Sequence, residues 1–336
     1  MGSFGLANKV TFYVSYPLYG YATGSGHHSA AVATGDIDDE TANSIITLNP
    51  SKQHLFDVTT GDMFYFTNKM NRKSDFFMVL GHDFEKTSQS LTLENTDGDL
   101  SATTVINNCV GETPAYNGWS LVTMDNQDTG SEVFKIIFSN DAQCSIGSIL
   151  WGSSWTTPIN CNVGQSYSLG YGYKQKKTVS GKTLSTLNYH KLGNWGKLPA
   201  WELMTTDENE YDYLDWIPNR NERTGIRKWD VSFSYLQDSQ VLGQNNMITS
   251  NAWTQDSASD YSTGADGNTS LYNTHNSQDF YSSVYKLTLG GHLPIVVNIS
   301  DSKNPDQWAI VRITKFTMKE NNPKFIDCSM TLEEQV

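Results

Sequence analysis

The chain has 336 residues, of which 38% are apolar, 18% charged and 12% aromatic, with 17 Tyr, 9 Trp and a formal net charge of −13. So many aromatics beside so few charges exclude an intrinsically disordered chain. The acidic balance argues against a nucleic-acid groove or an anionic membrane surface as partner, because both attract Lys and Arg. The length leaves room for two domains of ordinary size.

Residues 1–50 open on "KVTFYVSYPLYGYA", whose Tyr and Val content predicts a strand. The small, polar stretch that follows ends in an acidic cluster and reads as a flexible arm. His27 and His28 lie in it, and an adjacent pair without a third ligand nearby makes a poor metal site. The N-terminal "MGSFGLANKV" lacks a basic segment followed by an apolar core, so it does not read as a classical signal peptide. No apolar run approaches the roughly 20 residues needed to cross a bilayer.

From residue 51 to 157 short segments recur: "SDFFMVLGHDF", "QSLTLEN", "SATTVIN", "GWSLVTMDN", "EVFKIIFSN" and "SIGSILWGSSW". Asn, Asp and Gly clusters separate them, and none carries a sustained helical period. This pattern predicts an antiparallel β-sandwich.

Residues 158–336 continue as a second β-rich unit. "GYKQKKTVSGK" (Gly172–Lys182) reads as a solvated hairpin turning at Ser180-Gly181, in preference to a phosphate-binding patch. Residues 205–222 are acidic and aromatic and read as a surface loop. "WDVSFSY" alternates, with Trp229, Val231, Phe233 and Tyr235 on its apolar face. Residues 243–274 form a long polar connection, of the kind that is normally functional or mobile. "SQDFYSSVYKLTL" predicts one short helix, capped at Ser277, with Phe280, Val284 and Leu287 on one face. Gly290 and Gly291 end it as a left-handed cap would, and Pro294 forces extended geometry on Leu293. Three strands follow, the last with Ile326, Cys328, Met330 and Leu332 on one face.

Candidate chemistry is sparse. His292 follows the glycine pair, but no nucleophile elbow accompanies it, and packing at the start of a strand is the expected role. Asp212 and Asp215 stand among Tyr211, Tyr213 and Trp216 in the acidic loop. Paired carboxylates could serve a glycosidase and aromatic platforms could hold a sugar, although one acidic segment also reads as plain solvated surface. "TDGD" (Thr96–Asp99) and "DYSTGADGN" (Asp260–Asn268) offer oxygens without completing a calcium loop. Of Cys109, Cys144, Cys161 and Cys328 none form a C-x-x-C pair, so zinc has no support. The spacing permits a Cys144–Cys161 disulfide, but buried free thiols are the expected state. No metal, cofactor or phosphate loop is expected.

The order "SIGSILWG", "GYKQKKTVSGKTLSTLNYHKLGNW", "RTGIRKWDVSFSYLQDSQV", "DFYSSVYKLTLGGHLPIVVNISD", "WAIVRITKFTM" and "FIDCSMTLEE" resembles a family of tailed-bacteriophage virion proteins. "FFMVLGHDF" is similar to a strand of the galactose-binding-like jelly roll that often precedes that module. The resemblance covers residues 74–332 loosely, and fold does not carry sugar binding with it. It implies a jelly-roll-like sandwich followed by a β-rich assembly domain. It further implies a non-catalytic structural component of the virion, in the tail tip, baseplate or adaptor, assembled in the host cytoplasm. Such a protein forms a ring with copies of itself and contacts other tail proteins. The strand and turn carrying the likeness are Arg227, Trp229 and Asp230, then Gly290, Gly291, Leu293 and Pro294. The alternative is a carbohydrate-binding module that attaches to a host-surface glycan through Tyr and Trp platforms.

Overall fold

The structure is a computed structural model that describes residues 9–23, 28–34, 44–48, 54–68, 74–82, 84, 91–96, 104–108, 119–123, 133–168, 174–186, 194–195, 223–224, 226–236, 241, 279–300, 307–322 and 325–335. It is mainly β and antiparallel, as expected. The chain begins with β1 (Thr11–Ser15), α1 (Tyr16–Thr23) and β2 (His28–Thr34). The strand expected through Ala22 stops at Ser15, and the reason is local. Leu18 N–H donates to Ser15 Oγ at 3.2 Å, which caps a helix. Pro17 falls in the first turn, where its missing N–H has no intrahelical partner to lose. The second half of the expected strand is therefore a helix, and the segment expected as a flexible arm contains the strand β2.

Nine strands follow: β3 (His54–Val58), β4 (Met63–Asn68), β5 (Phe76–Leu80), β6 (Leu91–Thr96), β7 (Thr104–Asn108), β8 (Trp119–Thr123), β9 (Val133–Phe138), β10 (Ala142–Ile146) and β11 (Ser148–Thr156). Their pairings are nested: β6 with β7, β5 with β8, β4 with β9 and β3 with β10. This is a hairpin folded over on itself, the topology of a jelly roll. A five-stranded sheet, β2-β4-β9-β6-β7, faces the strands β11-β5-β8. Phe66 and Phe134 of the first sheet meet Phe77 and Trp151 of the second at ring separations of 5.3 to 5.8 Å.

The rest of the chain supplies β12 (Asn162–Ser168), β13 (Lys174–Lys177), β14 (Thr183–Thr186), β15 (Asn194–Trp195), β16 (Arg223–Thr224), β17 (Ile226–Leu236), β18 (Ile295–Asn298), β19 (Trp308–Asn322) and β20 (Phe325–Glu334). β13 and β14 form the expected hairpin, with Gly181 at φ 82° in its turn. The larger strands do not make a sheet of their own. They extend the jelly-roll sheet into nine strands, β12-β17-β20-β19-β18-β1-β11-β5-β8. The segments 1–50, 51–157 and 158–336 thus share one sheet.

The seam is β1, which pairs with β11 on one side and β18 on the other. Every residue of β1, β5 and β18 is buried. Strands covered on both faces read as unbroken apolar runs, as "FFMVL" and "IVV" do. One side holds Phe12, Trp151 and Val297. The other holds Tyr13, Met78, Val296 and Trp308, with Leu18 of α1 packed among them. Gly152 of β11 is required at this seam, because a Cβ there would run into the carbonyl oxygen of Val14.

The predicted short helix is present and closes the β1 end of the core. Phe280, Val284 and Leu287 are all buried, and the Phe280 ring lies 5.1 Å from Trp155 and 5.0 Å from Phe316. Its middle is a π-helical turn over Tyr281–Tyr285, with Lys286 N–H donating to Tyr281 O at 2.8 Å. Ser277 lies outside the described residues, and Asp279 takes the capping role by accepting from Ser282 N–H at 2.8 Å. Leu289, Gly290 and Gly291 then run through positive φ, at 52°, 73° and 88°. Gly291 abuts the backbone of Ile313, leaving no room for a Cβ, and Thr288 accepts from Gly291 N–H at 3.0 Å. The corner hands the chain through Pro294 to β18.

Candidate interaction surface

The strands β12, β17, β20 and β19 differ from the seam strands in one respect: their sequences alternate. Trp229, Val231 and Phe233 are buried, as are Ile326, Cys328, Met330 and Leu332. The residues between them point away from the core. Directly opposed residues in an antiparallel pair share a face, so the register defines three cross-strand rows on this outer surface. Ser166, Lys228, Glu333 and Arg312 form the first, Gly164, Asp230, Thr331 and Lys315 the second, and Asn162, Ser232, Ser329 and Thr317 the third.

The first row carries the charge. Lys228 Nζ lies 3.2 Å from Glu333, both partly exposed, a pair worth at most about 1 kcal/mol. The second and third rows are low and hydroxyl-rich, with Gly164 leaving a notch. Thr331 Oγ1 donates to Asp230 Oδ1 at 2.7 Å. A depression of about 170 Å³ opens here, lined by Asp230, Ser232, Lys315, Ser329 and Thr331.

One end of this surface breaks the expected pattern. Tyr235 was expected inside with Phe233, but it is 75% exposed, and Leu236 is buried instead. The cause is a β-bulge between Phe233 and Leu236, which inserts a residue and reverses the alternation. Tyr235 sits at φ 65°, uncommon for any residue but glycine. Its N–H points at Asp327 Oδ1, 3.4 Å away, and its ring meets Phe325 edge-on at 6.0 Å.

The residues tied to the virion resemblance are divided by the fold. Arg227 is 3% exposed and Trp229 1%, and both serve the interior. Arg227 donates through Nε and Nη2 to Glu334 at 2.6 to 3.1 Å, and through Nη2 to the Trp308 carbonyl at 2.9 Å. Its guanidinium lies 4.9 Å over the Trp229 ring. Asp230 alone of the three faces solvent. Gly291 and Leu293 are buried, Pro294 is half-buried and Gly290 is exposed. Tyr211, Asp212, Tyr213, Asp215 and Trp216 lie outside the described residues, as do His27 and the stretch Asp260–Asn268.

His292 is exposed. The histidine–serine contacts are elsewhere and left no signal in the sequence. His82 and Ser120 share a hydrogen bond of 2.8 Å, and His54 and Ser44 another of 2.8 Å. Ser120 is 2% exposed and His82 is stacked 4.1 Å from Phe84, so that hydroxyl lies in the interior. Among the described residues no three His, Cys, Asp or Glu side chains gather as metal ligands. Cys144, Cys161 and Cys328 are free, buried thiols. Burial pushes the Cys328 thiol up to about 12 and raises that of Cys161 as well.

No family model matches the chain, and no curated protein matches it. A solved structure described as "CpGH89CBM32-6 produced by Clostridium perfringens" is similar to 38% of this chain and 93% of its own, at 15% identity and a TM-score of 0.29. A likeness that loose carries no functional argument.

Proposed function

We propose that this protein is a non-catalytic structural component of a phage virion, in its tail, that assembles with copies of itself and neighbouring tail proteins by strand addition at β12. The observation that carries the reading is a contrast between two sheet edges. Beyond Val311, where β18 ends, β19 continues to Asn322 with no strand on that side among the described residues. That edge bears Arg312, Lys315 and Lys319, all exposed, and a register shift between Ile313 and Lys315. Cations and bulges are how proteins keep an edge from pairing with another chain.

Among the described residues β12 ends the nine-stranded sheet on the other side, and its own sequence has no such guard. Its sequence, "NVGQSYS", contains neither charge nor proline, and Asn162, Gly164, Gln165 and Ser166 are exposed. An open, uncharged edge is a template for a strand from another chain. The likeness of the turns and strands to tailed-phage virion proteins supports the tail as the place where that strand is met.

The test is the assembly state of the full chain by mass photometry and negative-stain electron microscopy. The wild type should form closed rings. Placing lysines on the edge, Gln165→Lys with Ser166→Lys, should return it to monomer with an unchanged circular dichroism spectrum. A wild-type monomer at tens of micromolar that is also missing from a mass-spectrometric inventory of the particle would refute the proposal. The second reading, a module that attaches to a host-surface glycan, draws on the hydroxyl-rich depression and the exposed Tyr235–Phe325 pair.

A further inference from the structure

The geometry points to a binding site for a neutral oligosaccharide on the outer face of β17, β20 and β19. One sugar would lie in the depression at Asp230 and Lys315, and the next against Tyr235. This deepens the second reading above and does not depend on assembly.

The depression sets a carboxylate and an ammonium on either side of three hydroxyls. Asp230 and Lys315 face each other across β20, two strand spacings or roughly 10 Å apart, with Thr331 between them and Ser232 and Ser329 in the next row. Thr331 donates to only one carboxylate oxygen of Asp230. Lys315 forms no ion pair among the described residues. A vicinal diol matches this set, since one hydroxyl can donate to the carboxylate while its neighbour accepts from the ammonium.

Other ligand classes fit less well. An anion such as phosphate would meet the like charge of Asp230 at one side of the depression. A peptide needs an apolar pocket for an anchoring side chain, whereas Val231 and Met330, the apolar residues of this lining, are only 1% and 2% exposed.

Tyr235 supplies the stacking surface. A non-glycine residue held in the left-handed region carries backbone strain, and such strain tends to mark a site of function. A glycine at this bulge would remove that strain, but it would also remove the ring that now stands 75% exposed. Phe325 braces that ring on the outward face, with Asp327 of β20 between it and Ser329 at the depression.

The experiment uses the full-length chain. A glycan array of neutral and anionic oligosaccharides is read first. Lactose, cellobiose and N,N′-diacetylchitobiose are then titrated by saturation-transfer NMR. At least one neutral disaccharide should bind saturably, and Asp230→Ala and Lys315→Ala should each weaken it at least tenfold. Tyr235→Gly should weaken it as much while its urea midpoint holds or rises, a pair of effects that misfolding cannot produce. Leu289→Gly, which relieves a similar φ away from the depression, should leave binding unchanged. If no neutral glycan binds, if only anionic ones do, or if these three variants of the outer face bind as the wild type does, the site is wrong. The edge variant Gln165→Lys/Ser166→Lys should still bind sugar as a monomer, which separates this site from the assembly proposal.

Discussion

Replacing Arg227 by Met gives the sharpest test of how the sheet is held together. Arg227 and Glu334 side chains are 4% and 9% exposed and meet at 2.6 Å. Glu334 also accepts from the Arg227 backbone N–H at 2.9 Å. The variant keeps that backbone bond, but it leaves a carboxylate desolvated with no countercharge and removes the donor from the Trp308 carbonyl. Removing one partner of a buried pair costs about 3–5 kcal/mol, and the lost charge-assisted bond adds about 1.5–3 kcal/mol. A loss of roughly 4.5–8 kcal/mol should therefore appear as a lower urea midpoint by far-ultraviolet circular dichroism. The double variant Arg227→Met/Glu334→Leu removes the stranded charge as well, so it should be more stable than Arg227→Met alone. A single-variant loss under about 1 kcal/mol, or a double variant at the sum of the two single losses, would refute the argument. An Arg227→Met protein of wild-type stability that no longer assembles would instead return Arg227 to the contact surface.

Gly152→Ala should destabilise by at least the 1–3 kcal/mol typical of overpacking, because the new methyl meets the Val14 carbonyl. Hydrogen exchange should show the loss first in β1 and β11, and uniform protection would count against the seam. Iodoacetamide at pH 8 followed by peptide mapping should find Cys144, Cys161 and Cys328 unmodified in the native chain and modified after denaturation. Cys328 is held neutral up to about 12 by burial and by the nearby Asp327 charge. Its unfolded thiol ionises near 8.5, so its contribution to stability is full below that pH and declines as the pH climbs toward 12. Cys328→Ser should flatten that alkaline limb, and an unchanged slope would contradict the assignment.

The fold class was legible in the sequence because strand length and patterning carry it. "FFMVL" and "IVV" are continuous runs and proved to be covered on both faces, whereas "WDVSFS" alternates and proved to be covered on one. What could not be read was pairing. Nested partners such as β3 and β10 lie far apart in the chain, and no local residue names its mate. Arg227 finds Glu334 across 107 positions and His82 finds Ser120 across 38, so both contacts are products of topology. Tyr235 was misplaced because a single inserted residue reverses a period of two without changing composition. α1 was missed because "YPLYGYA" has strand-like residues, and only the Ser15 cap and Pro17 mark its start.

The alternation of β17 explains why the resemblance motifs and the proposed site come apart. Arg227 and Trp229 lie on the inward parity of β17, and Asp230 on the outward one, so one four-residue motif serves two purposes. The inward residues are fixed by packing: any chain with this sheet needs something large over the Phe233 side of the core, and a countercharge for Glu334. The outward residues have no such constraint, since lysine, glutamate or threonine would all solvate the face equally well. A carboxylate, an ammonium and three hydroxyls meeting around one depression, beside an aromatic ring held at a costly φ, is therefore the part of this sheet that packing does not require. Function has to be sought on that parity, and the inward half of the motif can be explained without it.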